Sequence, residues 1–475
     1  MGQLLFQSGG FFDALGRVVW GAPMALLLLG TGLYLSCRLG WVQLRHFGEA
    51  MRGTVGRMFS PVSRCPGAVT PFQAMSTALA GTMGTGNIAG VALAVSLGGP
   101  GALFWLWATA LLGMATKYSE VLLAVRYRER NSRGEWAGGP MYYIKNGLGR
   151  RARPLAALFA LAGSLAALGM GDAVQVGEMS AAVRSALELI SPGGGLDLPA
   201  SVAVGGIASG AAALVLLGGA RRLGAVAELL VPAMSLVYAL ACLAVIGSNL
   251  GRLPGVLELI FRGAFEPRSV AAGLSLRACL GWGLRRGVFS NEAGLGSAPI
   301  AHASTSETEP VRQGFYGIFE VFADTMVVCT LTGVTLLISG VGIDYGSPAS
   351  TALCAGALGT VLGRGGGALV IAVGMCFFAL STLLSWGLYG ARCCEFLLGA
   401  RSVRPYLALF SAVAFLGAVM DLDLAWALSD VLNGLMALPN LFALLALSPV
   451  VERETASYFR RKGAKKTVDN CRTMS

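Results

Sequence analysis

The chain has 475 residues, of which 55% are hydrophobic and only 13% charged, and its mean hydropathy is +0.66. Apolar runs near 20 residues recur along its length, each long enough to cross a hydrocarbon core of ~30 Å, which excludes a string of soluble domains. The net charge of +11 is not a nucleic-acid footprint, because most of the basic residues cluster in alternate loops.

In chain order, apolar segments fall at about 16–36, 73–97, 101–125, 154–188, 200–219, 225–247, 269–299, 314–339, 367–397, 404–420 and 424–448, or about eleven spans. No basic leader or cleavage site precedes the first, which is expected to be retained. Arg38, Arg45, Arg52, Arg57 and Arg64 share the loop after it; Arg126, Arg128, Arg130, Arg133, Lys145, Arg150, Arg151 and Arg153 share a second basic region, and Arg460, Arg461, Lys462, Lys465 and Lys466 lie in the tail. The loops at 190–199 and 420–424 carry no Lys or Arg. That alternation places the basic loops and the C-terminus in the cytoplasm and the N-terminus outside. Arg252, Arg262 and Arg268 run against the rule. Two short apolar stretches, about 254–265 and 350–361, fall on the outer side as surface or re-entrant helices.

The expectation is an all-α polytopic membrane protein with one extra N-terminal helix followed by five helices and five more. The segments are 1–72 (first helix and basic loop), 73–247 (first repeat), 248–268 (outer connection), 269–448 (second repeat) and 449–475 (basic tail). Five is odd, so the second set runs inverted. Each set opens with a glycine-interrupted helix: GTMGTGN (81–87) in one and GWGLRRGVFSNEAGLG (281–296) in the other. Paired interruptions in corresponding positions of two halves point to a transporter site near the bilayer midplane.

In hydrocarbon an unpaired backbone amide or carbonyl costs several kcal/mol, so such a break must be buried in protein or line a polar cavity. Once unwound, it offers amides to a carboxylate and carbonyls to a cation. Gly84 and Gly86 let the backbone approach a ligand with no Cβ in the way. The alternative is that these glycines are a helix-packing face. The ten cysteines are scattered without a CxxC pair, and two histidines do not make a His-based metal centre.

TALAGTMGTGNIAGVALA (77–94), GGPGALFWLWATALLGMATKYSE (98–120), GGPMYYIKNGLG (138–149), RRGVFSNEAGLGSAPIAHAS (285–304), PVRQGFYGIFEVFADT (310–325) and DVLNGLMALPN (430–440) closely resemble the alanine/glycine:cation symporter family. The resemblance runs from about residue 20 to 450. It implies sodium-coupled uptake of alanine or glycine across a bacterial inner membrane, through an inverted repeat of leucine-transporter type. It carries substrate contacts onto Gly84, Thr85, Gly86 and Asn87, onto Phe289, Ser290 and Asn291, onto Gln175, and onto Trp386 as a pocket wall. Ser381 and Thr382, in FALSTLLSW, face the first break; with backbone near Gly81, Thr82 and Thr85 they form the expected sodium site. Sodium is the coupling ion, no other cofactor is expected, and the partners are substrate, sodium and lipid.

One departure stands out. Where the family reads close to GNMVQ, this chain has GDAVQVGEMS (171–180), so Asp172 replaces an amide and Glu178 adds a second carboxylate. A charge at that depth is a functional candidate; the alternatives are a protonated carboxyl or a pair with Arg277. Lys117 and Glu120, and Glu320 and Asp324, read as structural pairs or networks, while Glu292 is left open. An intramembrane enzyme would need a nucleophile and base, for which His302 is the only histidine near the bundle. A channel is the third class. No GxxxxGK[ST] loop for ATP occurs.

Overall fold

The computed structural model describes residues 16, 19–54, 56, 67–190, 195, 197–266, 275–420 and 422–473, so Arg57, Arg64, Gly194 and Arg268 lie outside the described residues. A helix occupies each of the apolar stretches. Helix α1 is Ala22–Arg38; α2, Pro71–Thr82, and α3, Val91–Gly98, are the two halves of one apolar stretch, joined through a π-helical turn, Gly86–Gly90. Helix α4 is Ala102–Arg126, and α5, Arg153–Leu168, runs through a π turn at Gly169–Ala173 into α6, Val174–Ile190. Then come α7, Asp197–Leu216, α8, Gly219–Ser248, and the short α9, Leu253–Phe265. The second half begins with α10, Leu276–Asn291, and the five-residue α11, Ala298–His302; α12, Pro310–Val321, passes through a π segment, Phe322–Cys329, into α13, Thr330–Ile338. Helix α14, Thr351–Leu398, is really two helices, because Gly363 breaks it with φ 75°. Helices α15, Val403–Gly417, and α16, Leu422–Thr473, complete the bundle. The final helix continues through the segment expected as a separate tail.

Six described helices are long and apolar enough to cross a membrane alone, and the α2–α3 pair, bent by 52°, makes a seventh as one broken span. On α7 and α8 large apolar side chains face outward, as with Ile207 at 72% and Leu229 at 75% exposure, which suits contact with lipid tails and not with water. Arg262, the exception to the charge rule, is paired with Glu258 one turn earlier at 2.9 Å.

Local chemistry sets the first break. Thr70 and Gln73 form a reciprocal capping box and Pro71 opens the helix, which gives α2 a defined start. Its last regular bond is Met83 N–H to the Leu79 carbonyl, 2.8 Å. The next amide, Gly84 N–H, turns aside to Asn87 Oδ1 at 3.0 Å. In a continuous helix that amide would bond to the Ala80 carbonyl, which is thereby released. The second break lies at the end of the quoted glycine-rich run: α10 stays helical to Asn291, and Glu292 (φ 51°), Gly294 (φ 95°) and Gly296 (φ 83°) turn the chain through left-handed backbone.

The basic ends of the two broken helices are tied together. Val69 N–H donates to Ser304 O at 3.0 Å and Ser306 N–H to Val69 O at 2.7 Å, so main chain leading into α2 bridges main chain leaving α11. The Arg128 guanidinium fastens the same segment by donating to the carbonyls of Ala303 (3.1 Å), Thr305 (2.5 Å) and Glu307 (2.7 Å). Burial, and then the neighbouring Arg130, bring its pKa down to about 10, which still leaves it charged at neutral pH.

Candidate functional site

The two breaks meet in the middle of the bundle. Gly84 has no room for a side chain: a Cβ there would lie 2.5 Å from Thr382 Oγ1 and 3.3 Å from Gln175 Oε1. Gly86 meets the Phe289 ring, at 3.3 Å from its would-be Cβ. The absence of two side chains is therefore what lets α14, α6 and α10 close on the same turn of backbone.

Around Gly84 the oxygens accumulate. The Ser381 hydroxyl lies 2.8 Å from Phe378 O, 3.3 Å from Ala80 O and 3.4 Å from Met83 O. The Thr382 hydroxyl lies 3.1, 3.1 and 3.4 Å from those of Phe378, Ala80 and Met83. Each hydroxyl has one proton to give. That of Ser381 goes to its own helix at Phe378 O, its shortest contact, and that of Thr382 is equally placed for Phe378 O and Ala80 O, so there are fewer protons than oxygens to take them. Two hydroxyl oxygens and the released carbonyls are then left facing one another, a cluster of neutral hard oxygens whose unmet need is positive charge. The carbonyls concerned belong to Ala80 and Met83, which flank Gly81 and Thr82. Gly81 packs against the Tyr389 ring and hydroxyl, and the Thr82 hydroxyl bonds back to Leu79 O at 3.2 Å.

On the other side of the break Asn87 reaches across the bundle. Its amide Nδ2 donates to Asp324 Oδ1 at 2.7 Å, and Ser290 and Thr325 donate their hydroxyls to Asp324 Oδ2 at 2.6 and 2.7 Å. One buried carboxylate thus gathers both broken helices. Thr85 Oγ1 and Gln175 Oε1 are buried and have no partner, and buried polar atoms in that condition mark where a ligand or water is to be met. Both lie beside Gly84.

The remaining site candidates have other partners. Asn291 accepts from Ala293 N–H at 3.0 Å, and its unpartnered Nδ2 is turned towards Gly113 on α4. Trp386, fully buried, has its Cβ against Gly171, its ring edge-on to Tyr389, and its Nε1–H donated to Glu292 Oε1 at 3.1 Å. Asp172 is buried with neither oxygen partnered; no pair with Arg277 forms, since that side chain is exposed.

Sequence reasoning expected structural pairs or networks of the intramembrane charges but missed the partners that build one below the cradle. Lys117 does not snorkel; it is fully buried and pairs with Glu320 at 3.3 Å, not with Glu120. Glu320 also bonds His302 Nε2 at 3.0 Å, whose Nδ1 meets Gln313 at 2.9 Å. His302 is thus held on both nitrogens and buried, which leaves it no free face for acid–base work on a substrate. Glu120 accepts from Gly294 N–H (3.0 Å) and Asn440 (2.6 Å), while Glu292 accepts from Ser297. Among the described residues no group of three or more His, Cys, Asp or Glu is placed to hold a metal ion.

A crossing of two broken helices, with freed carbonyls and hydroxyls on one side of Gly84 and the unpartnered polar atoms of Thr85 and Gln175 beside it, is the architecture of a transporter. The family described as the sodium:alanine symporter family matches residues 7–472. The chain belongs to that family. It is 42% identical over 450 residues to the sodium/alanine symporter AgcS of Methanococcus maripaludis, covering 94% of this chain and 96% of that one. It is 36% identical over 452 residues to a probable sodium/glutamine symporter, GlnT, of Bacillus subtilis, covering 94% and 90%. Among solved structures, a mutant manganese transporter from Eremococcus coleocola superposes with a TM-score of 0.51 at 16% identity, over 80% of this chain and 79% of that one. That likeness concerns the fold. As a member of the sodium:alanine symporter family, the chain is a multi-pass membrane transporter, as its motifs imply.

Proposed function

We propose that the protein imports a small neutral amino acid, alanine or glycine, together with sodium, by alternating access. The observation that carries this reading is the oxygen cluster at Gly84: the carbonyls of Ala80 and Met83 and the hydroxyls of Ser381 and Thr382 suit Na⁺, and the amides opening the Gly86–Gly90 turn suit a carboxylate. Gln175 and Phe289 close against Gly84 and Gly86, and this crowding favours a substrate with a short side chain. Eleven spans, arranged as one plus an inverted pair of five-helix repeats at 73–247 and 269–448, supply the symmetry that alternating access exploits. The main-chain bridge between Val69 and Thr305 supports a state closed on the basic side.

The energetics suffice. One Na⁺ entering down a potential of ~100 mV releases ~2.3 kcal/mol, roughly a 50-fold accumulation of a neutral solute. In proteoliposomes of the purified protein, an inward sodium gradient is expected to drive saturable uptake of labelled alanine or glycine, and dissipating the gradient to stop it. Saturable uptake indifferent to sodium would overturn the coupling, and sodium flux that never saturates with amino acid would favour a channel.

Orientation has its own check. In a background without cysteines, single cysteines at Gly134 and Gly463 are expected to react with an impermeant thiol reagent only after permeabilisation, and cysteines at Gly194 and Asp423 from outside whole cells. The reverse pattern would overturn the cytoplasmic placement of the basic loops.

A further inference from the structure

One charged side chain near the breaks has no role in the cradle. Arg286, on α10, is one helical turn before Phe289, and its Cδ lies 3.8 Å from the would-be Cβ of Gly90, one turn beyond Gly86. Both broken helices therefore put it about one turn from the cradle, towards the end opposite the basic loops. Three aromatic rings surround its guanidinium: Trp282 at 5.6 Å, Phe289 at 5.4 Å and Trp426 at 5.4 Å from Cζ to ring centroid. Rings stabilise a guanidinium through its face and leave its N–H edges available. Among the described residues no carboxylate comes within 4.0 Å of it.

Beside this cage stands a carboxylate. Glu178, the second acidic residue of GDAVQVGEMS, accepts from Trp426 Nε1–H at 3.2 Å, and the Trp426 ring is tilted on Phe289 at 5.3 Å between centroids. A guanidinium over the ring and a carboxylate at the N–H edge are thus held by one indole. Arg286, Trp426 and Glu178 are partly exposed, whereas Gly86, Asn87 and Ser290 one turn deeper are buried. The group therefore lies one turn outward of the buried cradle and retains some accessible surface.

We propose that Arg286 and Glu178 form an outer recognition subsite for an amino-acid zwitterion, Arg286 taking the carboxylate and Glu178 the ammonium group before the molecule passes Phe289. The assignment rests on the reading of the cradle as an amino-acid site and of the basic end as cytoplasmic. It gives a use to an arginine that makes no close ion pair with a described carboxylate, although the charges of Asp430 and Glu178 both favour it through space. So near the centre of a membrane protein, an unused charge is costly. The subsite acts on capture: it raises the local occupancy of substrate at low concentration and contributes little once the cradle is saturated.

The experiment is sodium-driven alanine uptake in proteoliposomes by the full-length protein and its variants R286Q, R286K and E178Q, each checked for a monodisperse elution profile. R286Q is expected to raise KM for alanine about tenfold with kcat retained, the loss of one charge-assisted contact. R286K is expected to recover part of that loss and E178Q to shift KM in the same direction. A wild-type KM in both R286Q and E178Q, an effect confined to kcat, or equal damage in R286Q and R286K would overturn the subsite and leave Arg286 a packing element of its cage. Should R286Q fail to fold, E178Q decides alone by the same KM criterion. Absence of sodium-driven alanine uptake in the wild-type protein would instead refute the function on which the subsite rests.

Discussion

Sodium-driven uptake is expected to fall about 100-fold when Gly84 is replaced by alanine, with folding and membrane insertion intact. The added methyl would sit 2.5 Å from Thr382 Oγ1 and 3.3 Å from Gln175 Oε1, inside the oxygen cluster itself. Overpacking of this kind costs ~1–3 kcal/mol, or a factor of ~5–150, and here the displaced atom is a proposed sodium ligand. The loss is therefore expected in apparent sodium affinity first. Gly86→Ala gives the contrast: its methyl would press on the Phe289 ring at 3.3 Å, a milder contact on the substrate side, so alanine KM moves more than sodium affinity. Gly206 has nothing within 4 Å of its would-be Cβ, and Gly206→Ala is expected to behave as wild type. Sodium titrations of uptake on the three variants separate these outcomes. A Gly84→Ala protein with wild-type sodium affinity would show that the cluster holds no ion.

Much of this site could be read in the sequence because its main features are side-chain features. Glycines interrupting apolar runs, and adjacent hydroxyls at Ser381 and Thr382, stand out against leucine and alanine. What could not be read belongs to the backbone or to distant partners. The carbonyls of Ala80 and Met83 carry no signature, because any residue offers the same C=O. Release of the Ala80 carbonyl depends on Gly84 N–H choosing Asn87 Oδ1, and that of Met83 on Asn87 N–H choosing Gly84 O at 3.2 Å, over their helical acceptors. Asp324 was legible as a buried charge but not as the partner of Asn87, 237 positions away. Among the described residues, the π-helical segments Gly86–Gly90, Gly169–Ala173 and Phe322–Cys329 were equally invisible. Each turns the helix by one extra residue and so re-aims the side chains beyond it. They occur at Asn87, just before Gln175, and at Asp324, the polar groups that surround the cradle. Charge patterning likewise suggested that Lys117 and Glu120 could pair on one helix face, whereas Lys117 is paired with Glu320 on a neighbouring helix.

Removing either hydroxyl from the pair at 381–382 is expected to cost sodium affinity while sparing the substrate site. On an ideal helix adjacent side chains diverge by about 100°, which suggests that one of the two faces the break and the other does not. The structure places both within 3.4 Å of the Ala80 and Met83 carbonyls, so neither is spare. Losing one such oxygen leaves a cation short of a partner, worth ~1–3 kcal/mol, or about 5- to 150-fold in apparent sodium affinity for Ser381→Ala and for Thr382→Ala alike. Because the two residues share the same carbonyls, the double variant is expected to lose less than the product of the single effects. Binding of one solute changes the affinity for the other by the same factor in both directions. Alanine should therefore bind weakly to either variant at low sodium and recover at saturating sodium. A residue that touched only the amino acid would depress alanine affinity at every sodium concentration, with no recovery. The measurement is alanine binding by calorimetry or scintillation proximity across a sodium series. An unaltered sodium dependence in both single variants would place the coupling ion elsewhere in the bundle.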